Sequence, residues 1–121
     1  MPQPRRRTAS SEDHGFATAE AAVAMPALMA VLALAVGVVV SVGAQLRCVD
    51  AARAGARVAA RGDSDAAVRR AARAIAPAGA TVTIRRSGGL VDVEVRARVL
   101  TTHVLPAVPV QAHASAEAES P

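Results

Sequence analysis

From Ala21 to Leu46 the chain runs for 26 residues without a charge, and seven of them are Val, four Leu and two Met. As an α-helix this run is roughly 39 Å long, more than the ~30 Å hydrocarbon core of a bilayer. It therefore predicts a membrane-crossing helix with some tilt. A secretory signal peptide is the competing reading. Its apolar region spans about 7–15 residues and ends in a small-residue cleavage site, which Val42-Gly43-Ala44 would supply. The run is longer than an ordinary signal.

Composition narrows what the rest can be. Of 121 residues, 52% are hydrophobic, but Phe16 is the sole aromatic and alanine fills 31 positions. Aromatic and long aliphatic side chains carry most burial energy, so a pocket enzyme is not expected and no catalytic residue is assigned. All 14 basic residues are Arg, and the net charge is +4. The pI of about 11.2 reflects the absence of Lys and Tyr more than a strong positive charge. A high pI usually prompts a nucleic-acid reading. Here a surface of Arg69, Arg70, Arg73, Arg85 and Arg86 lacks stacking aromatics and would offer only salt-sensitive phosphate contacts, which argues against it. With one cysteine, Cys48, no internal disulfide can form.

The junction before the run is the most informative segment. It reads Arg5-Arg6-Arg7, then Glu12-Asp13-His14-Gly15-Phe16-Ala17-Thr18-Ala19-Glu20. The positive-inside tendency places this end in the cytoplasm and the C-terminal part outside. Arg47, Arg53 and Arg57, after the run, weakly oppose that orientation. The junction resembles the type IV prepilin signal: a short basic leader, a Gly, a hydrophobic first mature residue, and Glu at the fifth. The resemblance implies cleavage between Gly15 and Phe16 by a prepilin peptidase, with residues 1–15 removed. A glycine there has no side chain to block a protease. The resemblance further implies that Glu20, at the membrane edge, pairs with an N-terminal ammonium in the assembled fibre. A carboxylate nearer the bilayer centre costs about 2.5–3.5 kcal/mol.

Within the run, Pro26 lacks an N–H and crowds the carbonyl of Ala22, so a kink or local opening is expected there. An early proline is also similar to the pilin pattern. Ala33, Gly37 and Ser41 form a small-residue stripe that lets helices approach closely in lipid.

Beyond the run, helix is expected to about Arg61. The stretch from Gln45 to Arg57 resembles the corresponding region of TadE-like pilins, the minor pilins of tight-adherence systems. The major pilins usually have an aromatic after the Glu, where this chain has Ala21, and are shorter after the membrane. Gly62-Asp63 breaks the helix, and Ser64 is the expected N-cap of a second one over 65–76. Val68, Ala71, Ala72 and Ile75 mark its buried face, and Pro77 and Gly79 end it. Thr81–Arg86 and Leu90–Val99 alternate as strands. Gly88-Gly89 as a two-residue loop pairs Ile84 with Val93, Val82 with Val95, and Arg85 with Asp92. A third strand is expected over 110–118, with Val110, Ala112, Ala114 and Ala116 on one face. The expected architecture is α+β: a long transmembrane helix continuing outside the membrane, a second short helix, and a three-stranded antiparallel meander.

His14, His103 and His113 lie far apart in sequence, so no metal site or cofactor is expected. Cys48 has two readings, a small apolar helix residue or an intersubunit disulfide in an oxidising compartment. The chain thus divides into a leader (1–15), a transmembrane and extended helix (16–61) and a small extracytoplasmic domain (62–121). The resemblance implies a structural subunit of a tight-adherence-like pilus. Its partners would be a prepilin peptidase, other pilin subunits and membrane-embedded assembly proteins. The alternatives are a single-pass anchored protein of a secretion system that keeps residues 1–15, or a secreted protein cleaved near Ala44.

Overall fold

A computed structural model describes residue 1, residues 10–100 and residues 106–118, with side chains described from Gly15 onward. Arg5, Arg6, Arg7 and His103 lie outside the described residues, as does the side chain of His14. Five elements follow in chain order: α1 (Ser10–Ala60), α2 (Asp65–Arg73), β1 (Thr81–Ser87), β2 (Leu90–Val99) and β3 (Val108–Glu117). This is the α+β architecture expected from the sequence.

The chain forms two compact units, Met1–Ala35 and Val36–Pro121. The first is the N-terminal part of α1. Its apolar side chains stand exposed, among them Met25, Leu28, Val31, Leu32 and Leu34. The helix runs through Pro26 without a break.

The second unit holds the core. The last part of α1 is integral to this unit. Cys48, Ala51, Ala52 and Ala59, at offsets of three, four and eleven from the first, are fully buried against the sheet and α2. The facing side of the sheet is nearly all valine: Val82, Val91, Val93, Val95, Val99 and Val110. A valine-rich surface thus packs on a helix face of Ala, Cys and Gly. Each fully buried Val contributes roughly 1.5–3 kcal/mol, so this core needs no aromatic. Gly55 marks the closest approach: a Cβ there would lie 3.0 Å from Val93 Cγ1 and 3.5 Å from both Ala72 Cβ and Val68 Cγ1.

The sheet order is β1-β2-β3, antiparallel throughout. Ile84 pairs with Val93, Val82 with Val95 and Arg85 with Asp92, the register expected from the sequence. Gly88 and Gly89 have φ of 57° and 83°, the left-handed backbone that a tight hairpin loop demands. The third strand begins at Val108, two residues before its expected start. Pro109 is tolerated because β3 is an edge strand. Val110, Ala112, Ala114 and Ala116 share the inward face, as the alternation predicted.

Ser64 caps α2, its hydroxyl accepting from the Ala67 N–H at 3.4 Å. The helix stops at Arg73, not at Ala76 as expected. Pro77 disfavours helical backbone at the residue before it, and the Ile75 N–H instead reaches the Ala72 carbonyl in a tighter turn. Ile75 consequently leaves the buried face and is exposed, while Ala76 packs against the core.

Candidate functional site

Gly15, Phe16 and Glu20 all lie on α1 and all are exposed, Phe16 to 78%. Among the described residues, nothing beyond the helix's own adjacent backbone lies within 4 Å of where a Gly15 side chain would stand. The helix starts at Ser10, five residues before Gly15, so the Gly15–Phe16 peptide is helical. A peptidase that grips extended backbone would have to unwind this first turn and a half.

After Glu20 the helix presents its uncharged surface. Among the described residues, one helix is long and apolar enough to cross a membrane. Only 6% of its most apolar window is buried, unlike the core helix of a soluble domain. Ala33 is exposed on this surface. Further along, Gly37 and Ser41 are joined by a hydrogen bond from Ser41 Oγ to the Gly37 carbonyl at 2.9 Å, so the hydroxyl is satisfied inside its own helix.

Cys48 occupies the core position of its two readings. The residue is fully buried beside Ala51 and Ala52, and burial pushes its thiol above the ordinary value. It stands beyond the uncharged run, inside the small domain.

Sequence reasoning did not find the polar cluster on the outer face of the sheet. Glu94, in the centre of β2, is only 3% exposed. Its carboxylate is covered by Arg96, which donates to Oε1, by Arg85 at 3.7 Å and by His113 Nε2 at 3.8 Å. His113 stands directly across from Glu94 on β3, and Thr83 on β1. Arg85 is opposite Asp92 in the ladder, yet its guanidinium reaches the diagonal neighbour Glu94. The β1–β2 alternation already put Glu94 and Arg85 on adjacent strands. Placing His113 required the β2–β3 register, which the sequence does not specify.

The arginines proposed for a phosphate surface are divided. Arg86 bonds Asp65 Oδ1 through Nε (2.9 Å) and Nη2 (2.6 Å), and its Nη2 also reaches the Asp63 carbonyl at 3.3 Å. With Arg85 committed to Glu94, Arg69, Arg70 and Arg73 on α2 are the members of this set of five without an ion-pair partner among the described residues. No group of three or more His, Cys, Asp or Glu among the described residues is placed to hold a metal ion.

Fold and surface together define a small α+β domain on a helix with membrane-spanning length and composition. Among known proteins, the chain is 43% identical over 100 residues to a protein of Mycobacterium tuberculosis named Apoptosis inhibitor Rv3655c. The match covers 83% of this chain and 77% of the relative, and the chain belongs to the same family as that protein. No family model matches it. No solved structure matches it either.

Proposed function

We propose that this chain is a minor pilin or pseudopilin of the TadE-like class, a structural subunit cut by a prepilin peptidase between Gly15 and Phe16. The observation that carries the reading is the sequence Gly15-Phe16-Ala17-Thr18-Ala19-Glu20 set directly before a 26-residue uncharged run. The bare apolar surface of α1 supports it, since such a surface needs lipid or other helices around it. Glu20 stands at the start of that surface, where a neighbouring subunit's new ammonium would offset its charge. In this reading the domain lies on the outer side of the cytoplasmic membrane. The protein acts by packing with other pilin subunits and carries out no chemistry of its own.

A second reading transfers the name of the mycobacterial relative: an inhibitor of apoptosis, released after cleavage near Ala44. It rests on that relative's name and on Val42-Gly43-Ala44 as a small-residue cleavage site, while the packing of Ala44 against the core counts against a cut there.

One experiment separates the two. The chain has no Lys, so its N-terminus is its sole primary amine. Tagging amines in membrane-extracted protein and sequencing the tagged peptide reads the mature start directly. A start at Phe16 is expected. A start at Gln45 would replace the pilin reading with the released protein, and a retained leader would leave an ordinary anchor.

A further inference from the structure

Strand β3 is an edge of the sheet, and its edge is covered at the start but not toward the end. The Ala118 N–H, just past the strand, donates to the Gly89 carbonyl, so the even-numbered residues of β3 turn their backbone groups toward β2. The odd-numbered residues turn theirs outward. Early in the strand these outward groups are blunted. Pro109 has no N–H, and the Gln111 carbonyl accepts from Gln45 Nε2 of α1 at 2.7 Å. The blunting stops there. The outward N–H and C=O groups of His113, Ser115 and Glu117 have no hydrogen-bond partner among the described residues.

A shallow groove runs beside this free edge, within the same compact unit. Arg53, Ala56 and Arg57 of α1 line it together with Ala114, Ser115 and Ala116. Both arginines are exposed, and neither has an ion-pair partner among the described residues. They stand one turn apart, about 6 Å along the helix. Helix α1 advances along β3 in the same direction, from Gln45 beside Gln111 to Arg57 beside the alanines. Two residues of strand cover about 6.7 Å. A strand added to β3 would therefore set alternate side chains at the spacing of the two guanidinium groups. Those side chains would lie over Ala114 and Ala116, which are too small to crowd them. On the opposite face the added strand would meet His113, Ser115 and Glu117, where Glu117 repels a carboxylate.

We propose that the free half of β3 takes an extended segment of another polypeptide as a fourth strand, with carboxylates at i and i+2 bonded to Arg53 and Arg57. The backbone groups of β3 hold the segment, and the two arginines select its sequence. A second copy of this chain is a poor occupant. Antiparallel pairing of two β3 edges would set the Arg53 and Arg57 of both copies along one seam, where like charges oppose each other. The site lies wholly in the small domain, so it stands apart from the pilin reading and holds for a released domain as well.

The test uses the full chain in detergent and a fluorescent synthetic peptide that alternates Glu with Thr. Binding is read by fluorescence polarisation, and the edge by amide hydrogen exchange with and without peptide. Wild type should bind the peptide, and the amides of His113, Ser115 and Glu117 should gain protection. Arg53→Gln with Arg57→Gln, both at exposed positions, should weaken binding about tenfold. Arg69→Gln with Arg70→Gln, equally free of ion pairs, should keep it. A peptide with Lys at the Glu positions should not bind, nor should one N-methylated on the amides that face β3. Equal affinity in the Arg53/Arg57 variant overturns the proposal. Binding that leaves the three amides unprotected is charge attraction alone and overturns it too. Protection of those amides in a peptide-free dimer would give the edge to a second copy, and failure of wild type to bind would leave no site; either result also overturns it.

Discussion

At the scale of single residues, two positions give sharp expectations. Cys48 is the first. With no Lys and no Tyr in the chain, its thiol is the only side chain that titrates between the histidine and arginine ranges. Burial raises it above the ordinary value of 9.0. The unfolded chain therefore loses this proton first as pH rises. Stability is unaffected by Cys48 below about pH 9 and falls above it. Urea melts of the detergent-solubilised protein at pH 8 and pH 10 should show that fall, and Cys48→Ala should flatten it. A maleimide should label the native thiol slowly and the denatured thiol at once. Rapid native labelling would place Cys48 at a surface and revive the intersubunit bridge. Gly55 is the second. Its Cβ position is already 3.0 Å from Val93 Cγ1, so Gly55→Val adds methyl groups into occupied space and should cost about 1–3 kcal/mol in the same melts. Gly43→Ala, with nothing within 4 Å, should gain stability from better helix propensity. The role of Gly55 could not be seen in the sequence, where a glycine in a helix reads only as a weakness. Its reason lies in β2, nearly forty residues away.

At the scale of elements, legibility followed the locality of the information. The β1–β2 hairpin was readable residue by residue, because Gly88-Gly89 fixes the loop and strict alternation leaves one register that pairs apolar with apolar. Gly88→Ala forces a side chain onto a φ of 57° and should cost about 1 kcal/mol, seen as a lower urea midpoint with an unchanged slope. The end of α2 is not legible locally, because the apolar spacing of Val68, Ala72 and Ile75 suggests one continuous face. The constraint that Pro77 places on Ala76 overrode it. Strand β3 began earlier than its composition suggested, since an edge position excuses Pro109 and the ladder to β2 compensates for a run of alanines that are poor strand formers alone. The cover over Glu94 was the least legible feature. It draws on three strands at once, and no local pattern marks a carboxylate on a solvent face for burial.

At the scale of the whole molecule, the proposed role turns on what happens when α1 leaves lipid. Glu20→Ala separates an anchor from a subunit. An anchor gains from losing a charge beside its apolar run, so its abundance should hold or rise. In a pilin the variant should still be inserted and cut at Gly15, then accumulate as mature protein in the membrane. Stranding the partner ammonium in a packed shaft costs about 3–5 kcal/mol, and each 1.4 kcal/mol is tenfold in incorporation. Sheared surface filaments should therefore be depleted of the alanine variant, as quantitative immunoblotting of membrane and filament fractions would measure. Wild-type levels in filaments would sink the role given to Glu20. The alanine, glycine and valine interface of the small domain bears on such a transfer in another way. These side chains have almost no rotamer freedom to lose, so the domain is ordered at little side-chain entropy beyond that of its backbone. The same property removes slack. A core without long, bendable side chains cannot repack around a disturbance, so the domain should keep one form while α1 moves from lipid to polymer, unfolding all at once or not at all.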